Sequence, residues 1–144
     1  MKIFRFLAGF LMISLTSCDP YTGSFIANNT NEKITVTIKY NRNDEMIKSY
    51  LQHHNGFENF VKFIRNYNSS RGNLIAIDSS KYIATVELNK KDTLEIWGGI
   101  RQSNDFDEID EIVIHYNKRQ TTINGEDFQD VFDKNQTYYI YTVK

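Results

Sequence analysis

Residues 34–40 read ITVTIKY. In an extended chain successive side chains point to opposite faces, so Ile34, Val36, Ile38 and Tyr40 share one side and Thr35, Thr37 and Lys39 the other. Strict alternation over seven residues, carried by β-branched side chains, predicts a half-buried strand whose second face is wet. Upstream, NNTNEK has the composition of a turn, and Ser24–Asn28 (SFIAN) predicts a short strand before it.

Downstream the period changes. Met46, Ile47, Tyr50 and Leu51 cluster at helical spacing, and Phe57, Phe60, Val61, Ile64 and Tyr67 lie on one side of a second, cleaner helix pattern. Helices are therefore predicted near 44–53 and 57–67, separated by Asn55-Gly56 and closed by the polar loop NSSRGN. Strand patterns return at 74–78, 82–88, 93–97, 109–116, 121–124 and 137–143, with turn-like DSSK, NKKD and NKRQ between neighbours. Gly98-Gly99 after Trp97 predicts a bulge or a sharp exit. EDFQDVF predicts a single helical turn through Phe128, Val131 and Phe132. About eight short strands around one helical insertion predict a mainly β domain, an antiparallel β-sandwich, with an α+β arrangement as the alternative.

The 144 residues suit one domain, and 40% hydrophobic and 14% aromatic content is ample for a core. A formal charge of −1 gives no electrostatic case for nucleic acid or an anionic membrane surface. One cysteine, Cys18, supports neither an internal disulfide nor a thiolate metal site.

Cys18 instead belongs with what precedes it. MKIFRFLAGFLMISLTSC carries Lys2 and Arg5, an apolar run from Phe6 to Leu15, then small residues. That is the layout of a secretory signal, and about ten apolar residues is half the length that a spanning helix needs. Leu15-Thr16-Ser17-Cys18 resembles the lipobox of bacterial lipoproteins. The resemblance implies cleavage before Cys18, a diacylglyceryl thioether on its thiol, and acylation of the new amino group. Two or more acyl chains anchor stably where one would be marginal. The expected division is a signal peptide at 1–17, lipidated Cys18 with a tether to residue 23, and one mainly β domain over 24–144. Pro20 and Gly23 in the tether discourage regular structure. The 127 residues left after cleavage, without Lys2 and Arg5, hold 15 basic against 18 acidic side chains.

The strand pattern at 34–40, INGEDF at 123–128 and the closing TYYIYTV are also similar in style to small outer-membrane lipoproteins of Bacteroidota. That resemblance implies a β-sandwich at the outer membrane, facing either the periplasm or the surface. It also makes Asp92-Thr93-Leu94 a minimal acceptor pattern for O-glycosylation at Thr93.

Few residues point to chemistry. Adjacent His53 and His54 on a helix project about 100° apart and do not converge on one ion. His115 falls on the strand face opposite Ile112 and Ile114, which suits a surface or interface residue. The acidic run Asp105, Asp107, Glu108, Asp110 and Glu111 offers oxygen ligands for a hard cation but lacks the glycine and spacing of an EF-hand, so a solvated loop is expected. Trp97 beside two glycines is either a core residue or part of a sugar-stacking platform. No GxSxG elbow and no GxGxxG or GxxxxGK[ST] phosphate loop occurs. The candidate ligand-binding residues are thus Trp97, Asp105, Asp107 and Glu108, with no metal site and no cofactor expected. The function expected is a non-enzymatic, lipid-anchored envelope module that binds a protein or glycan. An immunity-type lipoprotein neutralising a toxin, or a small hydrolase using residues 105–111 with His115, are the alternatives.

Overall fold

The alternation at 34–40 becomes strand β2 (Ile34–Tyr40), with Ile34, Val36, Ile38 and Tyr40 all at most 1% exposed. The structure is a computed structural model that describes residues 21–52, 60, 61, 64, 72–100 and 106–144. Among these, β2 forms the middle of a five-stranded sheet. Its neighbours are β4 (Ile83–Leu88) and β6 (Ile109–Tyr116), and the edges are β3 (Asn73–Asp78) and β7 (Arg119–Asn124). A second sheet runs in the order β5 (Thr93–Ile100), β1 (Tyr21–Asn28), β9 (Tyr138–Val143), β8 (Asp133–Asn135). The inward faces of both sheets share one apolar core. Ile26, Leu94, Ile96 and Trp97 come from the second sheet, and Val36, Ile38, Val86, Ile112 and Ile114 from the first. The fold is a mainly β, two-sheet sandwich that does not close into a barrel.

Three details depart from the sequence reading. Strand β1 begins at Tyr21 rather than Ser24, because β5 runs on through Gly98-Gly99 to Ile100 and pairs with Tyr21, Thr22 and Gly23. The described residues hold a ninth strand, β8, whose three side chains are all exposed and so leave no alternation to read. The pairing of β1 with β9 is parallel, Gly23 opposite Tyr138 through Asn28 opposite Val143, whereas every other pair is antiparallel.

The expected irregularity near Trp97 is present one step earlier. Ser24 faces Trp97 and Phe25 faces Glu95, so Ile96 is an extra residue on β5. A bulge shifts the alternation by one, which lets Ile96 and Trp97 both turn into the core. Gly98 then falls under the Tyr21 ring and the Glu95 carboxylate, where a Cβ would collide with both.

The helical insertion is partly described. Helix α1 (Glu45–Gln52) is capped by Asp44, whose Oδ1 accepts the Ile47 amide at 2.9 Å, and Ile47 is buried. Most of the helix predicted near 57–67 lies outside the described residues. Phe60, Val61 and Ile64 are helical, and Phe60 and Ile64 are buried. The Phe60 ring meets Tyr40 and Tyr82 edge-on, with centroids 5.7 and 5.2 Å away. Among the described residues no helix is long and apolar enough to cross a membrane.

The two sheets are joined at Asn28, the last residue of β1, which is 1% exposed. Its Nδ2 donates toward the carbonyls of Glu32, Asn89 and Leu88 at 2.8, 2.9 and 3.2 Å. Its Oδ1 accepts from the Thr30 amide at 3.1 Å and the Thr30 hydroxyl at 2.7 Å. Its amide donates to the Asp92 carbonyl and its own carbonyl accepts the Lys91 amide. One side chain therefore ties the β1–β2 loop to the β4–β5 turn, both of which pass between the sheets. Replacing Asn28 by Asp keeps the shape but substitutes an oxygen for the two N–H donors, setting it against backbone carbonyls. Chemical denaturation should show a loss of roughly 3 kcal/mol, the cost of buried polar groups left unsatisfied.

Candidate functional site

The chain positions Asp107 and Asp110 through the start of β6. Tyr40 pairs with Ile109 and Lys39 with Glu111, so Asp110 is a bulged residue. The bulge turns Asp110 out while Ile109 and Ile112 both stay in the core. Just before it, Phe106 is held at φ 58° and is only 2% exposed. A left-handed backbone costs a non-glycine residue about 1–2 kcal/mol, offset here by burial of the ring. That ring packs on Phe128, Phe132 and Tyr139 with centroids 5.0, 5.3 and 5.4 Å away. The pairs with Phe128 and Tyr139 are edge-on and that with Phe132 is tilted, and an edge-on pair adds about 0.5–1.5 kcal/mol beyond area burial.

Above this aromatic floor lies an open cleft of about 630 Å³, walled by Asn41, Asp107, Asp110, Asn124, Gly125, Glu126, Gln129 and Asp130. Asn41 closes one side. Its Nδ2 donates to the Asp107 carbonyl at 2.8 Å and its amide to the Glu108 carbonyl at 2.9 Å. The opposite wall comes from a 3-10 turn (Gly125–Asp127) running into helix α2 (Phe128–Val131), the helical turn predicted from EDFQDVF. Gly125 is required there because a Cβ would come within 2.6 Å of the Ile109 carbonyl oxygen. Four carboxylates and three side-chain amides thus face solvent around an apolar base. Lys39 compensates Asp110 in part, at 3.3 Å. The arrangement favours a cationic or hydrogen-bonding ligand and disfavours an anionic one.

The other residues singled out from the sequence are dispersed. Cys18, His53, His54 and Asp105 lie outside the described residues. Glu108 is half-buried and is not among the residues that line the cleft. Thr93 starts β5, partly buried and opposite Ala27. Trp97 is 1% exposed and packs in the core, so its ring faces are not offered to a sugar. His115 is exposed at the far end of β6, eight residues beyond Asp107. At about 3.3 Å per strand residue, the five residues from Asp110 to His115 set it about 16 Å from the nearest carboxylate of the acidic rim. The histidine and the acidic loop do not meet. Among the described residues no three His, Cys, Asp or Glu side chains converge as a metal ion requires.

Asn41, Asn124, Glu126, Gln129 and Asp130 were not foreseen as site residues. They come from the segment after β2, the end of β7, the 3-10 turn and α2, and the one local signal is the glycine within INGEDF, which permits the close approach to β6.

Beyond the cleft, burial on the β5 face pushes the Glu95 carboxyl above its ordinary value, while the Tyr21 hydroxyl donates to its Oε1. A raised folded-state value means that Glu95 favours the fold below pH 4.5 and that this contribution is lost as pH rises through the folded value. Glu95→Gln keeps an acceptor for Tyr21 and removes the titration. Thermal unfolding should find this variant more stable than the parent at pH 7, with the difference closing below pH 4.5.

No protein-family model, curated protein or solved structure matches the chain.

Proposed function

We propose that this chain is a lipid-anchored protein of the bacterial cell envelope whose β-sandwich serves as a non-enzymatic binding module. The observation that carries the reading is the spacing between anchor and fold. Leu15-Thr16-Ser17-Cys18 has the lipobox pattern, and Tyr21, three residues after the cysteine, is already part of strand β1. Three residues extend at most about 11 Å. A domain that starts so soon after a lipidated residue lies against the headgroup region of its membrane, and the outer membrane is the expected one.

The binding role is supported by the open acidic cleft over the Phe106 floor, which presents four carboxylates and three side-chain amides to solvent. A protein or glycan partner that offers cationic or hydrogen-bond donor groups suits it. The charge of the rim also favours the immunity-type reading, in which the partner is a basic toxin.

Two measurements test this. Metabolic labelling with a fatty-acid analogue should mark the full chain, and Cys18→Ala should lose the label and the membrane association together. An unlabelled parent chain would contradict the anchor. The parent should not turn over a panel of glycosides, esters and peptides. Turnover abolished by Asp107→Asn with Glu126→Gln would replace the binding reading with an enzymatic one.

A further inference from the structure

Each sheet edge among the described residues is guarded except one. Strand β3 carries a bulge, because Leu74 faces Val86 and Ala76 faces Thr85, leaving Ile75 out of register. Strand β5 carries the Ile96 bulge, and β8 is only three residues long. Bulges and shortness are the devices by which natural sheets prevent edge-to-edge pairing. Strand β7 has none of them. Its six residues, RQTTIN, pair with β6 in unbroken register from Arg119 opposite Tyr116 to Asn124 opposite Glu111. It contains no proline, no bulge and one charge, and five of its six side chains are exposed.

The ends of β7 carry opposite charge. At its start, Lys118 and Arg119 share a surface hollow with Lys33 and His115. Asn117 and Lys118 both have positive φ, at 47° and 62°, which is the tight two-residue hairpin turn that places them at the strand tip. At its other end, Asn124 and Gly125 lead into Glu126, Asp127 and Asp130 beside Asp107 and Asp110.

We infer that β7 is a self-association edge, on which a second copy of this chain adds its own β7 antiparallel about a two-fold axis. Antiparallel self-pairing sets the basic tip of each copy beside the acidic end of the other, so both ends are complementary. A parallel arrangement would juxtapose like charges. The axis must stand perpendicular to the sheet, and opposing residues must then share a face. Because faces alternate every residue, the axis falls on a single residue, either Thr121 or Thr122. In both registers threonine faces threonine, a favourable cross-strand pair, and no like charges are opposed within the strand. With Thr122 on the axis, Lys118 lies opposite Glu126 of the second copy. The product is a continuous ten-stranded sheet.

The test uses the full chain in detergent, followed by sedimentation. The parent should sediment at twice the chain mass, and its dissociation constant should rise with salt as the end charges are screened. Thr122→Lys places like charges at the axis without touching the core, and should weaken association at least about tenfold, a change of about 1.4 kcal/mol. With Cys18→Ser in the background, Thr122→Cys or Thr121→Cys should give a disulfide-linked pair on oxidation. Lys90→Cys, on the exposed β4–β5 turn, should give at least about tenfold less. A parent chain that stays single at every concentration would overturn the inference and leave the edge to a strand of another protein. So would association that Thr122→Lys does not change, or cross-linking through Lys90→Cys as strong as through the threonines.

Discussion

The structure depends on one buried amide. A two-sheet sandwich must carry its chain from one sheet to the other, and each crossing exposes backbone groups that neither sheet can pair. At one end of this domain two crossings run side by side, from β1 to β2 and from β4 to β5. Asn28 satisfies both at once, because a primary amide offers donors on one atom and an acceptor on the other. Its donors hold Glu32 and Asn89, its acceptor holds Thr30, and its main chain holds Lys91 and Asp92. No aliphatic residue could fill that position without leaving several buried polar groups unmatched.

With the sheets joined there, the other end of the sandwich is free to vary. β2 and β6 leave the core together near Tyr40 and Ile109, and the bulge at Asp110 ends the regular ladder. Everything that makes the cleft follows from that interruption. Phe106 accepts a left-handed backbone so that its ring can join Phe128 and Phe132, and the 3-10 turn lies on β6 because Gly125 has no side chain. The same bulge that breaks the sheet therefore sets carboxylates around an apolar floor. The stable end carries the clamp, and the exposed chemistry sits at the opposite end.

Much of this was legible in the sequence where a periodic pattern met a binary environment. β2, β4 and β6 were read nearly to the residue because each buries one face and wets the other. Strand β8 was not, since a short edge strand with three exposed polar side chains has no such contrast. The parallel partnership of β1 with β9 joins segments more than a hundred residues apart, and no local spacing encodes it. Trp97 with its glycines was recognised as irregular, but the direction of its ring depended on an extra residue opposite Ser24. Of the cleft, only the acidic segment announced itself. Asn41, Glu126 and Asp130 are ordinary surface residues until the fold assembles them. Asn28-Asn29-Thr30 reads as a polar turn, and only three-dimensional contact reveals a buried network at Asn28.

The most direct measurement of this account is hydrogen exchange at the Asn28 side-chain amide, observed by NMR in the intact domain. If Asn28 clamps the two crossings, its Nδ2 protons should exchange as slowly as backbone amides of β2, the central strand. Exchange as fast as that of the exposed Asn124 side chain would contradict the clamp, and with it the account of how the two sheets are held together.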